Sequence, residues 1–220
     1  VPRIQDGDAC DANRSSDANQ VLVWMVYGSK GWIGGQLCDE LRKQGHAVIG
    51  ANARADCHED VKVELEYHKP DRVLCIVGRT HGQGCATIDW CEDHLKENVR
   101  DNMVAPMALA ILCSQRGIHL TYMGTGCIFS QPPENVLSTS YTEEDKADFF
   151  GSGYSIVKGM TDDLMRLFAD GVLNVRIRMP ISSDFNSRNF ITKIANYEKV
   201  VNVPNSMTVL HEAIPAMITM

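Results

Sequence analysis

An apolar run, Val21-Leu-Val-Trp-Met-Val-Tyr27, leads without interruption into three glycines spaced three apart, Gly28, Gly31 and Gly34. A short, continuous apolar run suits a strand buried on both faces. The glycines stand where that strand should end and a helix begin. Leu37 and Leu41 then share one helix face, and Gly45 is the stop signal. The same alternation continues along the chain. His46–Gly50, Arg72–Val77, His119–Met123 and Val172–Arg178 read as strands. Val61–His68, Ile88–Arg100, Asn102–Arg116 and Tyr154–Phe168 read as helices, with Met103, Met107, Ala110, Ile111 and Cys113 as a core face. Strands alternating with helices imply an α/β fold, a doubly wound parallel sheet with crossover connections.

A glycine turn between strand and helix has a chemical use. It lets the backbone approach a pyrophosphate, which the positive end of the helix attracts. The residues from Gly28 through Ser29, Lys30, Gly31, Trp32 and Ile33 to Gly34 are therefore candidate cofactor contacts, although the spacing differs from the Gly-x-Gly-x-x-Gly of ordinary dehydrogenases. A ribose-binding acid belongs about 20 residues further on. The chain has Gly50-Ala-Asn-Ala-Arg54 there, with no carboxylate. Arg54 can meet a 2′-phosphate, which favours NADPH; a solvated arginine is the alternative.

Further along, Tyr154 and Lys158 stand four residues apart in Gly-Ser-Gly-Tyr-Ser-Ile-Val-Lys158, one turn apart on a single helix face. An ammonium beside a phenol favours the phenolate and brings it toward a useful working range. On its own this spacing is common on surface helices. Together with the glycine turn it points to carbonyl chemistry with a nicotinamide cofactor.

Net charge and cysteine usage narrow the partners. The net charge is −7 and no basic block occurs, so there is no footprint for nucleic acid or for an anionic membrane surface. The eight cysteines are scattered, with no Cys-x-x-Cys and no zinc-like spacing, and no metal site is expected. Cys38, Cys75 and Cys113 fall in apolar patterns and read as buried small hydrophobes. The usage fits a reducing, cytoplasmic compartment. No apolar run approaches the ~20 residues of a membrane helix, and residues 1–20 carry no apolar signal region.

Residues 1–20, rich in Asp, Asn and Ser, read as a flexible tail or linker. Residues 21–180 form the expected dinucleotide-binding domain, and residues 181–220 the start of a substrate lobe. The first residue is Val, and the chain stops at Met220 inside an apolar helical pattern. Both ends suggest a piece of a longer chain, with about a quarter of a typical family member beyond Met220.

Gly-x-x-Gly-x-x-Gly, Met123-Gly-Thr-Gly-Cys-Ile-Phe129 and Tyr154-x-x-x-Lys158 together resemble an extended short-chain dehydrogenase/reductase, a Rossmann-like fold. Five further segments resemble, more narrowly, the eukaryotic nucleotide-rhamnose synthase/epimerase-reductases, relatives of dTDP-4-dehydrorhamnose reductase. They are Asp89-Trp-Cys-Glu92, Thr125-Gly-Cys-Ile-Phe129, Arg178-Met-Pro-Ile-Ser-Ser-Asp184, Arg188-Asn-Phe-Ile-Thr-Lys-Ile194 and Val203-Pro-Asn-Ser-Met-Thr208.

The resemblance implies UDP-4-keto-6-deoxyglucose as substrate, UDP-L-rhamnose as product and NADPH as cofactor. It makes Thr125 the hydroxyl at the C4 carbonyl, Tyr154 the proton donor to the alkoxide, and Lys158 the group on the nicotinamide ribose. Cys127 and Lys193 match the acid–base pair for epimerisation at C3 and C5. Cys127 lies two residues after Thr125, on the same side of a segment read as extended. From residue type alone, Cys127 is another buried cysteine and Lys193 an exposed helix lysine. Arg188, Asn189 and Asn205 fall where relatives grip the nucleotide-sugar, and Val77, Gly78, Met179 and Pro180 along the cofactor. Asn102 matches a helix asparagine that steadies the active-site edge of the sheet.

The chain departs from the family pattern at Cys75-Ile-Val-Gly78, where Asn-Ala-Ala-Gly is usual, and in a longer loop from Arg79 to Thr87. His81 in that loop reads as a histidine near phosphates. Two other functions stay open at this point: a 4-ketoreductase without epimerase activity, and a non-catalytic NADP-binding regulatory subunit. Implied partners are a possible homodimer and a 4,6-dehydratase, fused to this chain or acting before it.

Overall fold

The fold was analysed in a computed structural model, which describes residues 20–131, 140–200, 202 and 204–220. The expected tail, apart from Gln20, and Val203 of the Val203–Thr208 segment lie outside the described residues.

Five strands form one all-parallel sheet: β1 (Val23–Tyr27), β2 (Ala47–Gly50), β3 (Arg72–Cys75), β4 (His119–Thr125) and β5 (Val172–Ile177). Their spatial order is β2-β1-β3-β4-β5. This is a doubly wound order, and its topological switch point lies between β1 and β3, where such sheets open a crevice beyond their carboxyl ends. Gly28 and Gly78 follow those two strands.

The period-two alternation of β1 divides the core between two faces. Met25 and Tyr27 pack with Val61, Leu65, Leu109, Leu112 and Met165, from helices α2 (His58–His68), α5 (Ala105–Ser114) and α6 (Gly153–Met165). Trp24 and Val26 pack with Leu37 and Leu41 of α1 (Trp32–Lys43) and with Leu210, Ile214 and Met217 of α8 (Leu210–Thr219). Cys38, Cys75 and Cys113 are buried, as their apolar settings suggest, and every described cysteine is free. Among the described residues, no helix is long and apolar enough to cross a membrane and no His, Cys, Asp or Glu cluster could hold a metal.

Two expected helices are subdivided. The Ile88–Arg100 stretch forms α3 (Trp90–Asp93) and α4 (Leu95–Val99), broken at His94 with φ −128° and ψ 52°. There the His94 ring stacks on Trp90 at 3.9 Å, and its Nδ1 lies 2.9 Å from the Trp90 carbonyl, a local bond that competes with helix continuation. A π-helical turn, Arg100–Val104, then precedes α5. Single π turns of this kind often mark functional sites; this one carries Asn102. The last short helix, α7 (Phe190–Ile194), follows β5.

Candidate active site

At the β1–α1 turn, Gly28 adopts φ +92°, and its carbonyl accepts the Gly31 N–H at 2.9 Å. A Cβ on Gly28 would meet the Ile76 carbonyl at 2.9 Å, and one on Gly34 would overlap the Gly28 carbonyl. The strand, the turn and the helix therefore approach more closely than any side chain allows. Gly31 caps α1 with no side-chain acceptor, and the first turn carries no acid, so the free N–H groups and positive helix end remain available to an anion. This glycine cradle fits a dinucleotide pyrophosphate.

At the end of β2, a Cβ on Gly50 would meet the Ser29 hydroxyl at 2.7 Å, which places Ser29 beside the loop that holds Arg54. Arg54 is over half exposed and pairs with Asp56 at 2.9 Å and Asp101 at 3.6 Å. The loop has an anchor that the sequence did not announce. Glu64 accepts from Asn52 N at 2.7 Å, from Ala53 N and from the Tyr27 hydroxyl at 3.0 Å. Burial, with Glu64 nearby, pushes the Tyr27 phenol up.

Strand β3 ends at Cys75, two residues before the expected Val77. Beyond it, Gly78 fits because a Cβ there would crowd Asn102 Oδ1 at 3.2 Å. The buried Asn102 amide accepts from Arg79 N at 2.8 Å and donates to the Arg79 carbonyl at 2.9 Å and to Asn98 Oδ1 at 2.8 Å. It clamps the edge beyond β3 to the π turn.

Thr125 ends β4. Here the extended reading of Thr125-Gly-Cys127 is corrected. The chain turns at Gly126, and the Cys127 N–H donates to Thr125 Oγ1 at 3.1 Å. A local hydroxyl-to-amide bond, not strand periodicity, sets Cys127 near Thr125.

Tyr154 and Lys158 lie on α6, and the fold brings the Tyr154 phenol to the Thr125 hydroxyl; the three residues, Tyr154, Lys158 and Thr125, are 5%, 4% and 7% exposed. Three devices fix α6 in this place. Ser152 caps it by accepting Ser155 N at 3.1 Å. The Gly153 N–H donates to both Glu92 carboxylate oxygens, at 2.9 and 3.0 Å. The Ser155 hydroxyl donates to the Cys127 carbonyl at 2.7 Å, tying the helix to the thiol's own turn. Ser152 was legible as a helix cap. Glu92 and Ser155 act across 61 and 28 residues of sequence, and nothing local signals them.

The electrostatics differ from the expected phenolate arrangement. Burial pushes the Tyr154 phenol up, the Cys127 sulfur adds to this, and the Thr125 hydroxyl beside it pulls the other way. The Lys158 ammonium donates to the buried Tyr122 hydroxyl and to the Met123 carbonyl at 3.4 Å. Burial lowers the pKa of Lys158 to about 8. The ammonium is held by β4 and is not turned to the phenol.

Arg178 follows β5. Its guanidinium donates to the Cys127 sulfur and, through Nε, to Asn205 Oδ1 at 3.0 Å. Its backbone pairs with Thr208 at 2.7 and 2.9 Å. Next to it, Met179 takes a left-handed backbone at φ +39°, and the Pro180 carbonyl accepts Phe190 N at 3.1 Å.

The expected ligand contact from Asn189 is replaced by a cap. Its buried amide accepts from Ile191 N at 3.1 Å and donates to the Ser182 and Asp184 carbonyls at 2.8 and 2.9 Å. Arg188 instead reaches the longer loop, with Nη1 3.0 Å from His81 Nδ1 and Nη2 2.6 Å from Nε2. A neutral imidazole offers one acceptor, so the contact requires uncharged His81. Its pKa is lowered, first by burial and then by Arg188, Arg79 and Lys193. Burial and then Arg188 also lower that of Lys193. Arg188 and Lys193, beside the neutral His81, form a cationic group suited to an anionic ligand.

The arrangement thus combines a dinucleotide cradle, a hydroxyl–phenol–amine set and a thiol in one region. Over residues 24–196 the chain matches the NAD dependent epimerase/dehydratase family. It is 50% identical over 202 residues to the uncharacterized protein L780 of Acanthamoeba polyphaga mimivirus, covering 90% of this chain and 70% of that protein. The crystal structure of the L780 UDP-rhamnose synthase from that virus matches with a TM-score of 0.88, over 91% of this chain and 71% of that one. The Arabidopsis thaliana bifunctional dTDP-4-dehydrorhamnose 3,5-epimerase/dTDP-4-dehydrorhamnose reductase is 40% identical over 213 residues, covering 96% of this chain and 69% of that protein. The fold alone is shared with a dTDP-4-dehydrorhamnose reductase of Bacillus anthracis in complex with NADP, at a TM-score of 0.67 and 15% identity, over 80% of this chain and 59% of that one. With this parallel sheet, glycine turn and match over residues 24–196, the chain belongs to the NAD dependent epimerase/dehydratase family.

Proposed function

We propose that the chain is an NADPH-dependent 3,5-epimerase/4-ketoreductase that converts UDP-4-keto-6-deoxyglucose to UDP-L-rhamnose. The observation that carries this reading is the junction of Thr125, Cys127 and Tyr154. The Cys127 amide is bonded to Thr125, and its carbonyl to the residue after Tyr154. One site therefore holds both a thiol for proton transfer at carbon and a phenol for proton transfer at oxygen. The similarity to the L780 synthase and to the Arabidopsis bifunctional enzyme supports the substrate class.

C3 and C5 flank the C4 ketone, so loss of a proton from either carbon gives an enolate. Cys127 and Lys193 serve as the acid–base pair, one taking the proton and the other returning one to the opposite face. Thr125 hydrogen-bonds the C4 oxygen, and Tyr154 gives its proton to that oxygen as the alkoxide forms. Burial suits Tyr154 to donation, because it keeps the phenol protonated. NADPH, when bound, supplies the hydride to C4. Gly28 to Gly34 hold its pyrophosphate, Ser29 and Arg54 its 2′-phosphate, and Lys158 its nicotinamide ribose, with Val77, Gly78, Met179 and Pro180 alongside. Arg188 and Asn205 hold the nucleotide-sugar.

The substrate is the product of a 4,6-dehydratase, so such an enzyme precedes this one, on the same polypeptide or a separate one. A homodimer is the proposed assembly, to be read by light scattering. The function is tested by supplying the keto-sugar and NADPH in D2O and reading the product by NMR. The expected result is UDP-L-rhamnose with deuterium at C3 and C5. Reduction without exchange would leave a ketoreductase alone, and NADP binding without turnover a regulatory subunit.

A further inference from the structure

We propose that Arg178 is a positioning residue for the epimerase half of the site: its guanidinium fixes the Cys127 sulfur in the cavity that both residues line, oriented for proton transfer at carbon. This rests on the function proposed above. It follows from contacts outside the reducing set of Thr125, Tyr154 and Lys158.

Cys127 and Arg178 line the same cavity of about 260 Å³, together with Ser155, Phe129 and Phe149. The guanidinium N–H donates to the sulfur, so sulfur acts as acceptor and its lone pairs face a fixed cation. Arg178 is itself fixed at several points. Its Nε is bonded to Asn205, its N–H to the Thr208 hydroxyl, and its carbonyl accepts the Thr208 N–H. The cation is thereby anchored to the end of β5 and to the segment before α8. The Cys127 turn is held independently through Thr125 and Ser155. Two rigid supports thus meet at the sulfur. The same charge acts on Tyr154 in the direction that opposes the effect of burial.

The step this serves balances without any further reagent. The Cys127 thiolate takes the proton from the carbon beside the C4 ketone and becomes a thiol. The C–H electron pair moves into the enolate, with negative charge on the C4 oxygen. The Lys193 ammonium returns a proton to that carbon from the opposite face, which completes the inversion; solvent then reprotonates the amine and takes the proton from the thiol.

The test compares Arg178→Met, Arg178→Lys and wild type by two readouts. The first is iodoacetamide alkylation of Cys127 at pH 7, resolved by peptide mass spectrometry because Cys57 and Cys85 are also partly accessible. The second is solvent-deuterium exchange at C3 and C5 of UDP-4-keto-6-deoxyglucose, set against NADPH oxidation. In Arg178→Met, the sulfur loses its fixed position and its alkylation rate departs from that of wild type by about tenfold or more. Exchange falls further than reduction, and Arg178→Lys recovers part of both effects by restoring the charge. Unchanged alkylation in Arg178→Met overturns the inference, as does an equal loss of exchange and reduction. A changed alkylation rate in a protein whose wild type shows no exchange supports the Arg178–Cys127 relationship and counts against the proposed function instead.

Discussion

The Lys158 ammonium donates to the Tyr122 hydroxyl on β4, although Tyr154 stands one turn away on the same helix. Tyr122 is fully buried in the core face shared with α5 and α6, so its phenol and the Met123 carbonyl satisfy a cation that burial would otherwise penalise. Tyr122→Phe removes that hydroxyl and leaves the ammonium short of a partner. We expect a loss of about 1–3 kcal/mol in chemical denaturation. A variant as stable as wild type would show that this bond contributes nothing net.

The lowered pKa of Lys158 gives a pH dependence with a definite sign. Below about pH 8 both the folded and unfolded chains carry its proton, and the burial penalty acts in full. Between about 8 and the ordinary 10.5 the unfolded chain binds more protons, so this group's contribution to stability rises with pH. Activity runs the other way, because the charge that would hold the nicotinamide ribose is lost. We expect kcat/KM to fall above about pH 8. In Lys158→Arg, whose side chain does not titrate in this range, that limb flattens. A limb that persists belongs to another group.

Tyr154→Phe removes the proposed proton donor while leaving the ring in its buried slot. The turnover of keto-sugar falls by about 10²–10⁴-fold. NADPH affinity, measured by fluorescence titration, stays near wild type. Equal turnover would remove Tyr154 from the mechanism.

Gly34→Ala forces a methyl group into the Gly28 carbonyl, and the turn has to open. NADPH binding weakens by about tenfold or more, since the backbone can no longer close on a pyrophosphate. Gly171→Ala is the control: a Cβ there meets nothing within 4 Å, and affinity is retained.

Glu92→Ala removes the acceptor for Gly153 N at the start of the helix that carries Tyr154 and Lys158. By analogy with helix caps it lowers stability by about 0.5–2 kcal/mol. It lowers kcat more than it raises the KM for NADPH, because Gly153 immediately precedes Tyr154. Glu92→Gln keeps one acceptor oxygen and recovers part of the loss. A Tm drop with unchanged kcat would leave Glu92 a purely structural cap.

The fold was readable because its signals are local. β1 announces itself through a run of apolar residues and α1 through the spacing of Leu37 and Leu41, and Gly28 and Gly34 mark a turn that only glycine can make. The errors arose where a local bond competed with periodicity. His94 breaks a helix by stacking on Trp90, and Thr125 turns the chain at Gly126 where an extended segment was expected. Asn189 looked like a ligand residue because its neighbours carry a recognisable motif, yet its amide is consumed by its own loop.

The sequence by itself determined the strand–turn–helix order, the parallel class of sheet and the residue types available for chemistry, since these depend on backbone permissiveness and on periods of two and 3.6 residues. The tertiary structure alone decided which groups face one another. It placed Arg178 on Cys127 across 51 residues, Lys158 on Tyr122 across 36 and Glu92 at the start of α6 across 61. Each of these contacts is made by crossover connections that bring distant segments to the carboxyl edge of one sheet. No local pattern encodes such meetings, because their energetics come from burial and desolvation, which exist only once the chain has folded.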